Sequence, residues 1–491
     1  MKYARPEEVG ISSEKILEYV KLLEEKQLNT HSLIISKGDT IVFEKYWAPF
    51  HKDYGHRQYS VTKSFVALAI GFAEQEGLLN LDDPISKYFP KEMEKQHDEN
   101  MRNQTIRHML MMSTAKIAKR WFIARSDDRV MTYFDNDNLE SRPSGTIFQY
   151  DSSGSFVLGA LVERLTGKTL IQYLREKMFD KIGVSQEAHF LKCPGGHSWG
   201  DSALVCTSTD LWKSALFTMN KGNWNGEQLL NEKFVTDATS ALIDNNVNGA
   251  VHCESLGYGY LIWRTWDNSF FFNGMGCQMA ICTPDKDLVM VRNGDDQGNA
   301  PARNILIDNY FDMIVRTASD KPLPPNDAAY QKLMEETSDL KLAVEFGETQ
   351  STMADEINGV TFIMNENPMG ITKMQLCFNG NDGVLKYTNA QGDKELPFGL
   401  GHNAFGLFPE TGYSDQVGSQ SAPGHQYQCA ASAAWVEPTK LRIKVQIIDE
   451  YFGILHINMG FRDGLLGVYM VKSAEDFLDT YEGYAGGKPE K

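Results

Sequence analysis

The sequence lacks a long apolar run. Its longest uninterrupted apolar stretch is residues 65–73, whereas a helix needs about 20 apolar residues to cross a bilayer. The first eight residues also lack the apolar centre of a secretory signal. We therefore expect no association with a membrane and no export.

Positive charge is also scarce. The chain has 48 Lys and Arg residues against 65 Asp and Glu residues, which gives a net charge of −17. Because binding to nucleic-acid phosphates or to an anionic membrane needs a basic surface, this balance argues against both partners.

Patterns typical of metal sites and disulfide frameworks are missing too. The seven cysteines include no Cys-x-x-Cys pair, and the eleven histidines include no His-Glu-x-x-His motif. An odd number of scattered cysteines favours reduced, mostly buried thiols in a reducing compartment. The sequence therefore predicts a cytoplasmic protein without a metal site or cofactor.

A chain of 491 residues is expected to form two domains. Three prolines at 322, 324 and 325 mark the best linker, so we predict domains at 1–325 and 326–491. Beyond the linker, residues 441–447 and 455–459 alternate apolar and polar side chains, as in antiparallel strands. The second domain is predicted to be β-rich, either a barrel or a sandwich.

The first domain shows both strand and helix patterns. Residues 32–36 and 40–46 have the composition of a β-hairpin, and an apolar helix is expected from Ser60 to near Gly77. A second helix is expected from Ser155 to about Thr166. The chain thus mixes helices and strands.

The most informative motif is Ser60-x-x-Lys63 at the start of that apolar helix. Residues i and i+3 share a helix face, so the Lys63 amine can reach the Ser60 hydroxyl. The free N–H groups at a helix start can also stabilise an oxyanion. Spacing alone is weak, because three other matches begin at Ser12, Ser113 and Ser338. Their simplest interpretation is a capping serine and a solvated lysine.

A serine–lysine nucleophile needs a neutral lysine, which burial and a nearby tyrosine can favour. Tyr150 lies on the loop before the helix expected at Ser155, within residues 143–159. It is a candidate partner of Lys63, although a structural tyrosine would fit the same position.

These segments occur in a characteristic order. After residues 59–65 come 76–90, 105–110, 143–159, 208–211 and 224–230. Their sequences resemble the serine β-lactamase-like family, class C branch, which includes penicillin-binding-protein-like esterases, D-aminopeptidases and 6-aminohexanoate-dimer hydrolases. The resemblance covers roughly residues 5 to 315.

The resemblance implies an α+β fold for the first domain: an antiparallel sheet flanked by helices, with a helical subdomain. It implies that Ser60 is acylated and that Lys63 and Tyr150 share the general-base and general-acid work. It also implies a third motif at Gly274-Met275-Gly276, with Cys277 supplying the second oxyanion N–H and Gln278 next to it. C-terminal extensions in the family are often lipocalin-like β domains.

Two departures from the family pattern bear on the substrate. The family's second motif, Tyr-x-Asn, corresponds to Tyr150-Asp151-Ser152 and so ends in serine instead of asparagine, and no Lys or His stands at Gly274. A cation at that position would bind the carboxylate of penicillins and peptidoglycan peptides, so neither is expected to be the best substrate. The thiol of Cys277 is interpreted as a small buried group, because no nearby histidine could activate it.

Two other interpretations compete with this one. Gly196-His197-Ser198-Trp199-Gly200 matches the nucleophile elbow of α/β-hydrolases, but it lacks the preceding strand and following helix. Trp199 is a candidate wall of the substrate pocket, or a structural residue. The altered third motif also allows a catalytically silent binding or sensor protein on the same scaffold.

The sequence therefore predicts a serine hydrolase that cleaves an ester or amide of a small molecule or short peptide. D-aminopeptidase activity and weak β-lactamase activity are alternatives. The oligomeric state is left open.

Overall fold

The chain divides into two structural units. The computed structural model describes residues 1–94, 96–116, 121, 128–135, 141–193, 195–247, 249, 251–410, 426–473 and 481–490. The first unit comprises residues 1–341, and the second begins at Leu342. This division comes after the expected boundary at 325, because the helix Asp327–Glu336 packs on the first unit and buries Leu333 in its core.

The first unit contains helices and strands in mixed order. Its helices are α1 (Ser13–Glu25), α2 (Thr62–Gln75), α3 (Glu99–Arg102), α4 (Ile106–Leu110), α5 (Arg129–Phe134), α6 (Ser152–Thr166), α7 (Leu170–Leu174), α8 (Asp180–Ile182), α9 (Ser208–Met219), α10 (Glu232–Ala238), α11 (Ala302–Tyr310) and α12 (Asp327–Glu336). Its strands are β1 (Lys2–Tyr3), β2 (Thr30–Lys37), β3 (Thr40–Tyr46), β4 (His56–Arg57), β5 (His189–Phe190), β6 (Leu204–Cys206), β7 (Asn223–Trp224), β8 (Glu227–Gln228), β9 (Trp263–Thr265), β10 (Ser269–Gly274), β11 (Gln278–Thr283) and β12 (Leu288–Gly294).

A sheet in the order β1-β3-β2-β12-β11-β10-β9 forms the centre of this unit, antiparallel except between β1 and β3. Alternate residues of a strand point to opposite faces. Leu33 and Ile35 of β2 join the apolar core with α1 and α11. On the other face, Ser36 accepts a hydrogen bond from Trp212 of α9, and Phe272 packs on Phe65 of α2. The sheet is thus covered by helices on both faces, as the α+β expectation requires.

Helix α2 is the most buried helix near the sheet. Twelve of its fourteen residues are buried, including every residue from Thr62 to Ala73. Such a helix is apolar on all sides because it lies between other elements, here the sheet and α6. The backbone at its start is therefore held firmly in place.

Several predicted elements are confirmed. The hairpin is β2 and β3, and Gly167 ends α6 in the left-handed conformation with φ +67°. Two helix starts differ from expectation. Helix α2 starts at Thr62 after a 3₁₀ turn at Tyr59–Val61, and α6 starts at Ser152, because the side chain of Asp151 accepts a hydrogen bond from the N–H of Gly154.

Two histidines lie side by side in the first unit. Nδ1 of His31 on β2 is 3.3 Å from Nε2 of His56 on β4, and the His31 ring stacks on Phe50 with ring centroids 3.7 Å apart. Both imidazoles are buried. Burial lowers the pKa of His56 to about 3, so His56 is neutral at neutral pH.

We expect His56 to make the protein less stable in acid. An unfolded histidine binds a proton below about pH 6.5, whereas folded His56 does not until the pH approaches 3, so the lowered pKa contributes stability above pH 6.5 that is lost as the pH falls. The loss is about 1.4 kcal/mol per pH unit. Urea unfolding at pH 7 and pH 5 should show a larger decrease for wild type than for His56→Asn. Equal decreases in the two proteins would contradict this assignment.

The second unit is a β-barrel. It contains α13 (Thr352–Ile357) and the strands β13 (Thr361–Met364), β14 (Lys373–Asn379), β15 (Asp382–Asn389), β16 (Gly392–Leu400), β17 (Ala404–Leu407), β18 (Gln428–Glu437), β19 (Lys440–Ile448), β20 (Phe452–Arg462), β21 (Leu465–Ser473) and β22 (Gly483–Pro489). Antiparallel pairing runs from β16 through β15, β14, β13, β22, β21, β20 and β19 to β18. A parallel pairing of Gly399 with Ser432 joins β16 to β18 and closes the barrel. The prediction of a barrel-like domain is confirmed.

All seven cysteines lie in the described ranges and carry free thiols; six are buried and Cys377 is half-buried. Within those same ranges, His, Cys, Asp and Glu side chains form no group of three or more that could hold a metal ion. None of the helices found there has the length and apolar character needed to cross a membrane.

Candidate active site

Ser60 lies in a tight turn that leads into α2. Tyr59, just before it, has φ +46°, a left-handed conformation that non-glycine residues seldom adopt. The Tyr59 ring is buried, and the Arg57 guanidinium lies 4.3 Å from its centroid. This packing holds the unusual backbone in place, and the half-buried Ser60 is presented at the helix start.

The Lys63 amine contacts the Ser60 hydroxyl. Lys63 Nζ lies 2.9 Å from Ser60 Oγ and donates a second hydrogen bond, 2.6 Å long, to the main-chain carbonyl of Asp201. Lys63 is only 2% exposed. The contact predicted from i, i+3 spacing is therefore present, in a setting with little water.

The other three Ser-x-x-Lys matches lie in ordinary structural settings. Ser12 caps α1 by accepting a hydrogen bond from the N–H of Lys15, whose amine pairs with Glu18 at the surface. The hydroxyls of Ser113 and Ser338 each donate to a nearby main-chain carbonyl. The structure thus distinguishes Ser60 from these three serines.

Tyr150 joins Ser60 and Lys63 from the loop before α6. Its ring centroid lies 5.2 Å from Lys63 Nζ, and its ring stacks on Trp263 of β9 with centroids 5.6 Å apart. The next residue, Asp151, caps α6 with a carboxyl group whose pKa is raised by burial. Ser152, the residue in place of the family's asparagine, is half-buried in the first turn of α6.

The end of β10 lies against the Ser60 turn. A Cβ atom on Gly274 would be 2.5 Å from the carbonyl oxygen of Gln58 and 3.3 Å from Val61, so only glycine fits there without a shift. The pairing of β10 with β9 covers residues 269–271, and the strand then continues past β9 toward the nucleophile. Gly274 is therefore the glycine that brings this strand next to Ser60.

The remaining residues of the third motif form the turn from β10 to β11. A Cβ on Gly276, which has φ +71°, would contact Asp295, Gln278 and Gly294 instead of the Ser60 turn. Burial raises the pKa of the Cys277 thiol to about 11, so the thiol is protonated and inert at neutral pH.

Gln278 is fully enclosed by this turn. Its side chain donates to the carbonyls of Met275 and Gly294 and accepts from Asn293 and from the N–H of Gly294. A side chain bonded in this way holds the turn in shape and has no exposed surface for a substrate.

The profile of the family described as Beta-lactamase matches residues 18–311, more than half of the chain. The chain belongs to the beta-lactamase family. The beta-lactamase family predicted from the sequence is confirmed.

Curated relatives within the family are distant. A 6-aminohexanoate-dimer hydrolase of Paenarthrobacter ureafaciens is 22% identical over 219 residues, which are 42% of this chain and 56% of that protein. An uncharacterized protein of Alkalihalophilus pseudofirmus is 23% identical over 318 residues, 56% of this chain and 87% of that one. The chain thus spans little more than half the length of the first of these relatives.

Solved structures with the beta-lactamase fold are similar at low identity. The octameric penicillin-binding protein homologue from Pyrococcus abyssi is 16% identical, with a TM-score of 0.51 over 96% of this chain and 99% of that chain. EstCE1, described as a hydrolase with promiscuous acyltransferase activity, is 14% identical, with a TM-score of 0.50 over 61% of this chain and 99% of that one. At such identities, the similarity supports the fold.

The competing elbow motif is not supported. Ser198 forms an isolated antiparallel β-bridge with Lys192, and the next helix, α9, starts only at Ser208. Trp199 is fully buried and packs on Arg57, 4.5 Å from its guanidinium carbon. It is therefore a structural tryptophan that supports the Ser60 turn, and the pocket-wall interpretation does not hold.

Sequence reasoning missed two residues of this family site. Trp263 stacks on Tyr150, and Asp201 accepts a hydrogen bond from the Lys63 amine at its main-chain carbonyl while its carboxyl group is buried and acted on electrostatically by Lys63. An aromatic-rich segment at 258–263 was a weak signal for the first. A single aspartate in a loop carries no local signal, because only the fold brings it to Lys63.

Proposed function

We propose that this protein is a hydrolase that cleaves an ester or amide bond of a small molecule or short peptide through an acyl-enzyme on Ser60. The observation that carries the proposal is the 2.9 Å contact between a nearly inaccessible Lys63 amine and the Ser60 hydroxyl, with Tyr150 beside it. A buried amine next to a serine hydroxyl is suited to remove its proton.

In this proposal Lys63 accepts the Ser60 proton while Oγ forms a bond to the substrate carbonyl carbon. The carbonyl electron pair moves to oxygen, and Tyr150 passes a proton to the departing alcohol or amine. Water then releases the acyl group by the reverse proton transfers. The class C assignment is part of this proposal, because it rests on the motif resemblance.

Two main-chain N–H groups would bind the oxyanion, and one of them belongs to Ser60. For the second donor, the position of Gly274 supports the N–H of Met275 in preference to that of Cys277. Met275 directly follows the glycine whose backbone lies against the Ser60 turn, whereas Gly276 packs on Asp295 and Gly294.

The substrate is proposed to lack a carboxylate at the third motif. Two cations near this strand are already paired: Arg292 with Asp296 at 2.6 Å and Arg303 with Glu254 at 3.1 Å. A penicillin carboxylate would therefore gain little there. Trp263, stacked on Tyr150, offers an aromatic surface and favours an apolar or aromatic group on the substrate.

A cytoplasmic location is part of the same proposal. It is supported by seven unpaired cysteines, most of them buried. One structural relative is octameric, and the oligomeric state of this chain is left open.

The test is covalent labelling with a fluorophosphonate and turnover of p-nitrophenyl esters, D-amino-acid amides and nitrocefin. We expect wild type to be labelled and to hydrolyse an ester or amide, with nitrocefin turned over slowly. Ser60→Ala should abolish labelling and lower turnover by at least about a thousandfold, because the nucleophile is lost. Ser12→Ala, in a motif that only caps a helix, should retain both activities.

The alternatives predict other results. A silent binding protein would show neither labelling nor turnover of any substrate. Efficient cleavage of D-amino-acid amides would identify a D-aminopeptidase, and efficient nitrocefin hydrolysis would show that the third motif binds carboxylates. Undiminished labelling of Ser60→Ala would refute the proposed nucleophile.

A further inference from the structure

A second ionisable group lies beside Lys63 and has no part in the steps above. Asp201 belongs to the loop before β6, and its main-chain carbonyl accepts the 2.6 Å hydrogen bond from Lys63. Its carboxyl group is fully buried. One oxygen accepts a long hydrogen bond, 3.4 Å, from the indole N–H of Trp121, and the other has no hydrogen-bond partner among the described residues.

The charges around this carboxyl group are mainly positive. Lys63 on α2 and Arg129 on α5 both act on it electrostatically, and both favour its ionised form. Arg129 is 5% exposed and stacks on Trp121 with its guanidinium carbon 4.2 Å from the ring centroid. Cys193 also faces this region, and burial raises the pKa of its thiol, so it adds no charge.

The loop that carries Asp201 is firmly held. The guanidinium of Arg57, which is fully buried, donates to the carbonyl of Ser202 at 3.1 Å and to its hydroxyl at 3.0 Å. These bonds hold the main chain next to Asp201. The residue that bonds Lys63 through its main chain is therefore fixed in place, and among the described residues its carboxyl group has only the long hydrogen bond from Trp121.

We propose that Asp201 is a positioning residue of the active site, whose carboxylate stabilises the ammonium that Lys63 becomes when it accepts the Ser60 proton. This inference rests on the proposed function of Ser60 and Lys63. A buried carboxylate with few hydrogen bonds gains most from a neighbouring positive charge, because there is little water to screen the attraction.

The proton balance of the step is simple. The Ser60 O–H bond breaks, Oγ bonds to the substrate carbon, and the proton moves to the Lys63 amine. Asp201 exchanges no proton with the substrate. It lowers the energy of the state in which Lys63 is positive and the oxyanion is negative, so it acts through Lys63.

This arrangement has a consequence for pH. Burial raises the pKa of the Asp201 carboxyl group above its ordinary value, so this carboxylate is protonated at a higher pH than an exposed aspartate. Activity should therefore fall in acid as the Asp201 carboxylate is protonated, because the stabilisation of the Lys63 ammonium in the transition state is then lost.

The decisive variant is Asp201→Asn, which removes the charge and keeps the shape. We expect the acid limb of the kcat/KM profile for a p-nitrophenyl ester to move about one pH unit lower, because the variant has no carboxylate at this position to be protonated as the pH falls. The plateau kcat should fall about three- to tenfold, because Lys63 becomes a weaker base. KM should stay nearly the same, since Asp201 does not touch the substrate.

Two controls separate this role from a structural one. Asp210→Asn removes another buried carboxylate, which caps α9 and accepts from the N–H of Ser185, and it should leave the acid limb in place. Asp201→Glu retains the charge, so the pH of its acid limb should lie closer to that of wild type than the acid limb of Asp201→Asn does. If Asp201→Asn does not fold, Asp201→Ser, which is smaller and uncharged, is measured in its place.

An acid limb of Asp201→Asn that coincides with that of wild type would overturn the inference. The outcome is distinguishable from failure of the proposed function. If Ser60→Ala retains turnover, the function itself is wrong. If Ser60→Ala is inactive and the Asp201→Asn limb does not move, the function stands and only the role of Asp201 is refuted.

Discussion

Lys63→Ala is expected to lower kcat for an ester substrate by at least about a thousandfold. The Ser60 hydroxyl would lose the amine 2.9 Å away that accepts its proton, and residues that act as one catalytic unit lose nearly all activity when one member is removed. The measurements are steady-state hydrolysis of a p-nitrophenyl ester and the rate of fluorophosphonate labelling. Both should fall together, because both depend on a deprotonated Ser60.

The fold should survive this change. Lys63 makes two hydrogen bonds, but removing it also removes a buried polar group that is costly to desolvate, so the net change in unfolding free energy should stay within about 2 kcal/mol. Lys15→Ala is the matched control, since Lys15 has the same spacing from Ser12 and pairs with Glu18 at the surface. It should keep full activity. A Lys63→Ala enzyme with a near-normal rate would refute the general-base role.

Asp296→Ala is expected to have the largest effect on stability. Arg292 and Asp296 form an ion pair at 2.6 Å in which the side chains are 0% and 1% exposed. Removing one partner leaves the guanidinium buried and uncompensated, which costs about 3–5 kcal/mol. Arg292 also donates to the carbonyls of Gly276 and Cys277, so the turn beside the active site should loosen as well. Urea unfolding measures the first effect and ester hydrolysis the second.

Asp312→Ala is the control for that variant. Arg316 and Asp312 form another i, i+4 pair, but their side chains are 46% and 63% exposed. Water screens exposed pairs, so this change should cost less than about 1 kcal/mol. Similar unfolding free energies for Asp296→Ala and Asp312→Ala would show that breaking the buried pair costs no more stability than breaking the exposed one, and would contradict this prediction.

Local patterns predicted much of the fold. The β2–β3 hairpin, the capped end of α6 at Gly167 and the strands β19 and β20 all follow from periodicity and turn residues, because these features depend on neighbours in sequence. The predicted starts of the helices were less accurate than the predicted strands and turns. Tyr59–Val61 forms a 3₁₀ turn where a regular helix was expected, and this turn depends on the packing of Tyr59 under Arg57.

The position of the domain boundary also could not be predicted from local patterns. Three prolines end an element, but they do not say on which side the next helix will pack. Helix α12 follows the prolines and still contributes Leu333 to the first core. The division after Lys341 therefore reflects contacts with α1, which no local pattern contains.

By itself, the sequence determined the family, the mixed α and β fold with a β-rich C-terminal domain, and the pairing of Ser60 with Lys63, because residues three apart meet on any helical turn. Only the tertiary structure decided the rest of the site. It placed Tyr150 beside Lys63 and Trp263 against Tyr150, showed that Gly274 is the glycine next to the nucleophile, and brought the main-chain carbonyl of Asp201 to the amine. These groups come from distant segments, so they meet only when the sheet, α2 and α6 pack together.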